Sequence, residues 1–386
     1  MTATAFASEE LAERVRAVRA VMRERGLAAL CVVSPENVYY LSGLNHQGHF
    51  AFTQLVLPLE GRPRLVTRAM ERATVAAQAR DLVHVPYADD EDPAAAAADA
   101  LRQVTGSGDR IGIERASMHL PVAIWEGMCH RLDDLEWADG SGIVEVPRAV
   151  KSPAELELIR RAAAISDDAV QAGIRATRAG VTERTVAAAV YQRLLLAGSD
   201  HPGIPPMIRG RDILLQEHVI GPRDRVLTAG DALFMELSGS VAHYHAPASR
   251  MVYVREVPAG TEQAAKIASD GLEAVRAALR PGAVAGEVYA AWQRVIDEGL
   301  GHSRYRRHHC GYLVGIGFAP SWVGGSTVVG LRDGADLVIR EGMVFHVLSW
   351  ILDQRPADYI LSDTVLVTAS GGELLTTTPR EPTVVP

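Results

Sequence analysis

The segment FMELSGSVAHYHAPASRMVYV (Phe234 to Val254) brings a carboxylate, two imidazoles and a phenol close together among strand-forming residues. Glu236 falls on a predicted strand, and a carboxylate on a buried face must be paired or protonated. Opposite a cationic group, or beside a histidine, it has a partner. His243 and His245 are two apart, so a strand presents both on one face; the plain alternative is a pair facing solvent at a turn. His346 alternates with the apolar Phe345 and Val347, which sets it on a site wall or in the core as a satisfied histidine. Such groups take a proton from water and return it to a leaving nitrogen. A rebuilt single-metal site from Glu236, His243 or His245, and His346 is the other chemistry these types allow, since imidazole and carboxylate suit zinc or iron. Trp322 and Trp350 could stack on a flat substrate or serve as ordinary core residues. The pair His308-His309 follows an arginine run and reads as a solvated helix end.

The elements that must position these groups fall into two sets. In the first ~150 residues the period of the apolar positions predicts an α/β unit. A helix is expected over Ser8 to Arg25, with Ser8 as N-cap and Gly26 as C-cap. LAALCVV, TQLVLP, RPRLVT and DRIGIE read as strands, SPEN (Ser34 to Asn37) as a turn, and DPAAAAADALRQV as a helix opened by Asp92 and Pro93. A strand is expected to end in GIVEVP. Then Ser152-Pro153-Ala154-Glu155 opens a helix as N-cap, N1 proline and N3 glutamate. Beyond it the order is helix pair (153–179, 182–197), strands (232–254), helix pair (262–278, 286–299), strands (MVFHVLSWILD and DYILSDTVLVT). That pseudo-repeat predicts two similar halves across a shared cavity, closed by a polar C-terminus after Leu375.

At 386 residues, 48% hydrophobic and 22% charged, the chain has an ordinary globular profile with room for two cores. A net charge of -8 argues against a nucleic-acid partner. Cys31, Cys129 and Cys310 are few, odd in number and far apart, as expected of free thiols in a reducing cytoplasm. The N-terminal residues lack the pattern of a signal peptide, and no apolar run approaches the ~18 residues of a membrane span.

Six segments resemble the creatinase/prolidase family, the family 24 peptidases with the pita-bread fold: ENVYYLSGL, VPRAVKSPAELELIRRAA, the pair Gly230-Asp231, GYLVGIGFAP, REGMVFHV, and SDTVLVT with GGELLT. They occur in the family's order over more than 300 residues. The resemblance implies an α/β (α+β) chain with a creatinase-like α/β domain over 1–150 and a pita-bread catalytic domain over 151–386. Metal-dependent members hold two divalent ions with two aspartates, a histidine and two glutamates. The matching positions here are Glu236, Pro247, Tyr312, Leu348 and Ser362, of which only Glu236 is a strong ligand. The two-metal peptidase apparatus is therefore not expected, and no cofactor is implied.

The metal-free branch, resembling creatinase and ectoine hydrolase, implies a hydrolase of a non-peptide C–N bond in an amidine, guanidine or cyclic amide. The resemblance sets His218 as general base and acid, with Glu236 and His245 as catalytic partners. Tyr312, in place of the metal histidine, would donate to a developing anion. His243, His346, Arg250 and Ser362 are set around the substrate, although Arg250 and Asp363 also match framework positions that hold strands together. Creatinase's substrate carboxylates fall near Ser249 and Ser362, which are hydroxyls, so creatine itself is a poor fit. In creatinase-like dimers the region matching GLNHQGHFAF reaches the partner's cavity, so His46, His49 and Phe50 would line the site of a second subunit; an ordinary surface loop is the alternative. The expected partner is a small molecule and a second copy of the chain, in the cytoplasm. An elimination, isomerisation or ring closure, or a catalytically silent binding protein, are the competing functions.

Overall fold

The computed structural model describes residues 5–217, 221–324 and 328–386. The chain divides into two compact units, residues 1–149 and residues 150–324 with 328–386.

In the first unit α1 (Ser8–Glu24) leads into β1 (Ala29–Val32) and α2 (Pro35–Ser42). Then come β2 (Gln54–Pro58), β3 (Arg64–Arg68), α3 (Arg72–Gln78), β4 (Val83–Tyr87) and α4 (Pro93–Arg102). The unit closes with β5 (Arg110–Ile113), α5 (Val122–Arg131), β6 (Glu136–Asp139) and α6 (Glu145–Arg148). Its six strands form a mixed sheet in the order β4-β3-β2-β1-β5-β6, with β1 parallel to β5 and antiparallel to β2. Helices α4 and α5 bury Ala97, Leu101 and Met128 against it.

Three local expectations are corrected. SPEN is not a turn: Ser34 is the N-cap and Pro35 the first residue of α2, the same Ser-Pro start that opens the next unit. Ser8 is the first helical residue and Ala7 its cap, with no side-chain hydrogen bond. The residues before Pro147 form α6 rather than a strand end.

The second unit begins with α7 (Pro153–Ala176), whose capping box pairs Ser152 with Glu155 as expected, and α8 (Glu183–Leu196). Strands β7 (Met207–Gly210), β8 (Ala232–Val241) and β9 (Tyr244–Val254) follow. The second half repeats the plan with α9 (Thr261–Ala278), α10 (Ala285–Leu300), β10 (Gly311–Leu313), β11 (Val344–Ile351) and β12 (Tyr359–Thr368). Strand β13 (Gly371–Leu374) pairs with β12, and β14 (Thr383–Val385) lies parallel on β9, so the polar C-terminus ends as a strand. The halves do not form separate sheets. They join in one, β10-β11-β12-β9-β8-β7, at a seam where Ser362 pairs with Ser249.

Helices α7 and α9 pack on one face of this sheet. Side chains alternate along a strand, so the other face is left for a site. Register then decides which residues meet there. Leu348 lies opposite Ser362, Ser362 opposite Ser249, Ser249 opposite Glu236, and Glu236 opposite Met207. That is one row across five strands, at a strand spacing of roughly 4.8 Å. No helix among the described residues is long and apolar enough to cross a membrane.

Candidate active site

The open face of the second sheet floors a cavity of about 660 Å³. Glu236, Leu348, Trp350 and Tyr312 rise from the strands, with Trp322 and the 204–206 loop as walls. Close packing of those walls depends on two glycines. A Cβ on Gly203 would clash with the Ser321 carbonyl oxygen, and one on Gly317 would sit 2.6 Å from Trp322 Cα.

Glu236 is 3% exposed, and its Oε1 has no hydrogen-bond partner among the described residues. Burial drives its pKa up to about 8, against the pull of Arg209 and Arg307, while Glu217 adds to the rise. At neutral pH it is mainly a neutral acid. Arg307 forms a two-pronged pair with Glu217, at 2.6 and 3.0 Å, and lies over the Trp350 ring, 5.1 Å from its centroid. Arg209, 1% exposed, stacks on Phe234 and leaves Nε and Nη2 unpartnered among the described residues.

Beside Glu236 runs a chain of hydrogen bonds. Trp322 Nε1 donates to the Tyr312 hydroxyl at 3.0 Å, and that hydroxyl lies 2.9 Å from His346 Nδ1. His346 Nε2 is 2.7 Å from Ser362 Oγ, which donates to Ser249 Oγ at 2.8 Å. His346 is fully buried, which pulls its pKa down to about 3, with His309 adding to the fall. Its Nε2 lies 3.9 Å from Glu236 Oε1.

The predicted residues divide accordingly. Glu236, Tyr312, His346 and Ser362 come together. His243 and His245 do not join them, and the expected same-face pair does not exist. Ala242 and His243 are the two residues of the β8–β9 hairpin turn, both at positive φ (49° and 65°), while His245 is already in β9. His245 pairs with Ser240, four residues beyond Glu236 and so roughly 13 Å along the strand. It is buried with its pKa pulled down to about 4 by desolvation. Its Nε2 accepts from the Gly203 N–H at 2.9 Å, so Nδ1 carries the proton and donates to the His243 carbonyl at 2.8 Å. It anchors the cavity's 201–206 wall rather than touching its contents. His243 stacks on Phe318. Tyr244 turns to Glu155 on α7, at 2.8 Å.

Arg250 is also displaced from the substrate side. One residue from Ser249, it points to the helix-covered face, where it pairs with Asp363 at 2.7 Å and donates to the Thr378, Pro379 and Ser362 carbonyls. His218 lies outside the described residues. His46, His49 and Phe50 belong to the first unit: His46 Nδ1 is 3.7 Å from Glu71, His49 Nδ1 is 3.2 Å from the His46 carbonyl, and Phe50 is 79% exposed.

His308-His309 is not a helix end, because α10 stops at Leu300. His309 lines the cavity and packs edge-on against Tyr312, with its pKa pushed down to about 4 by burial and by His308 and Arg307. Sequence reading thus missed His309, Arg307, Glu217 and Arg209. The available signal was Gly301, which ends the helix before the arginine run begins.

Of the five positions set against metal ligands, Leu348 and Pro247 have no side-chain donor, while Tyr312 and Ser362 are spent in the hydrogen-bond chain. No group of three His, Cys, Asp or Glu among the described residues converges. The rebuilt single-metal site from Glu236, His243 or His245 and His346 is not assembled either. These residues do not fit a dinuclear metal pair.

Comparison with known proteins agrees with this architecture. The chain is 26% identical to ectoine hydrolase of Halomonas elongata, with 97% of each chain covered. It is 24% identical to a Xaa-Pro dipeptidase of Pyrococcus horikoshii, covering 96% of this chain and 98% of that one. The crystal structure of a prolidase from Thermococcus sibiricus superposes with a TM-score of 0.86 at 21% identity, covering 98% of this chain and all of that one. The profile of the Creatinase/Prolidase N-terminal domain matches residues 14–150 and that of metallopeptidase family M24 residues 157–369; the chain belongs to metallopeptidase family M24, with the pita-bread fold.

Proposed function

We propose that this protein hydrolyses a C–N bond other than a peptide bond in a small planar molecule, by acid/base chemistry without a metal. The observation that carries the reading is Glu236, a buried carboxyl on the cavity floor whose Oε1 has no hydrogen-bond partner among the described residues and whose pKa is raised. A buried polar group left unpaired is costly, and a substrate would supply the pairing. The likeness to ectoine hydrolase supports the class of bond.

In this mechanism the substrate lies between Trp322 and Trp350. Water adds its oxygen to the carbon of the C–N bond, and its proton passes to the base, for which His218 is proposed. Glu236 hands its proton to the departing nitrogen as the bond breaks. The proton on the base then returns, through solvent, to Glu236. A carboxyl with a pKa near the working pH suits the donor's part.

The test is a panel of cyclic amidines, guanidines, lactams and Xaa-Pro dipeptides, incubated in H₂¹⁸O with protein of measured metal content. One ¹⁸O atom in an amidine, guanidine or lactam product, formed equally after chelator treatment, is the expected result. Chelator-sensitive cleavage of Xaa-Pro dipeptides alone would overturn the reading. Product without ¹⁸O would replace hydrolysis by elimination or isomerisation.

A further inference from the structure

The hydrogen-bond chain beside Glu236 takes its direction from the Ser362 hydroxyl. Ser362 has a single hydroxyl proton, and it goes to Ser249. The 2.7 Å contact between Ser362 and His346 must therefore use a proton on Nε2. A neutral imidazole carries one proton, so Nδ1 is bare and accepts. The 2.9 Å contact with Tyr312 must then use the phenol's own proton. Trp322 Nε1 can only donate, and it donates to the same phenol oxygen. The Tyr312 proton is thus turned into the protein, and the hydroxyl keeps one lone pair free. The direction is set at the seam between the two halves, since Ser362 and Ser249 stand on β12 and β9.

We propose that Tyr312 recognises an N–H group of the substrate as a hydrogen-bond acceptor, with His346 as the positioning residue that holds its hydroxyl in that sense. This deepens the hydrolase reading and rests on it. It reverses the part implied by the sequence, in which Tyr312 donates to a developing anion. The substrate class narrows to molecules that carry an N–H beside the scissile carbon, such as amidines, primary or secondary amides and lactams. Esters and lactones of the same shape lack the donor and are disfavoured.

Two measurements test this without turnover, so failure of the hydrolase reading leaves them interpretable. The first is a long-range ¹H–¹⁵N spectrum of ¹⁵N-histidine-labelled protein, with His346 assigned by its loss in H346Q. Expected is protonated Nε2 and unprotonated Nδ1, with that preference lost in S362A. The opposite tautomer, or a doubly protonated ring, overturns the proposal. The second compares benzamide with methyl benzoate by calorimetric titration of wild type and Y312F. Y312F should weaken benzamide by about 2–10-fold, the worth of a neutral hydrogen bond, and leave methyl benzoate unchanged. Equal effects on both probes, or no benzamide binding by wild type, would sink it.

Discussion

The two faces of the second sheet treat buried charge in opposite ways at the β9–β12 seam. On the helix-covered face Asp363 accepts from Arg250, Thr376 and Arg380, at 2.7, 2.8 and 2.7 Å. On the cavity face, two strands away and one residue out of phase, Glu236 Oε1 accepts from nothing among the described residues. Both carboxyls are buried. The saturated one bolts β9, β12 and the 376–380 segment together. The unsaturated one keeps its bonding capacity for something that enters. A buried acid without partners is a stability cost that a structural role would remove.

The sharpest way to break that contrast is to neutralise each acid in turn. E236Q should cut turnover of the hydrolysed substrate by roughly 10²–10⁴-fold while leaving unfolding by urea unchanged or shifted to higher concentration. Loss of stability with intact kcat would make Glu236 structural. D363A should do the reverse. It strands Arg250 and Arg380 in the interior and costs about 3–5 kcal/mol, seen as a lower urea midpoint. A D363A protein as stable as wild type would remove the bolt.

The cavity wall gives a smaller effect. G203A drives a methyl against the Ser321 carbonyl and should cost roughly 1–3 kcal/mol. Its KM should rise more than its kcat falls, because the wall positions rather than reacts.

The pH dependence of stability is the finest probe. Glu236 has a folded pKa of about 8 against an ordinary value of 4.5. Between those values the folded state binds the extra proton, so its contribution is full below pH 4.5 and lost as pH rises to about 8. E236Q should remove a slope of at most ~1.4 kcal/mol per pH unit in that window. The buried histidines act oppositely. His245 and His346 are depressed to about 4 and about 3, so their contribution stands above pH 6.5 and falls with acidification. Urea midpoints from pH 4 to 9 separate the two, and an unaltered E236Q slope would contradict the neutral acid.

Much of this was legible in the chain. The Ser152–Glu155 capping box, the helix-pair and strand order and the six family segments depend on near-neighbour residues, so local chemistry suffices to read them. The misreadings share another cause. SPEN was read as a turn because Ser, Pro and Asn serve turns and helix starts alike. His243 and His245 were paired by strand periodicity, which fails where two residues form a hairpin turn. The pair His308-His309 reads as solvated because nothing local reveals that a loop folds back over a sheet.

The sequence by itself determined the family and the two-unit plan, because these follow from residue type and order. It also set which residues alternate to which face of each strand. Only the tertiary structure decided which residues on a face meet. Register across the seam placed Ser249 between Ser362 and Glu236, left Glu236 Oε1 without a hydrogen-bond partner among the described residues and turned the Tyr312 hydroxyl toward His346. The seam pairing joins residues 113 positions apart, and only the folded sheet brings Ser362 and Ser249 within hydrogen-bonding distance.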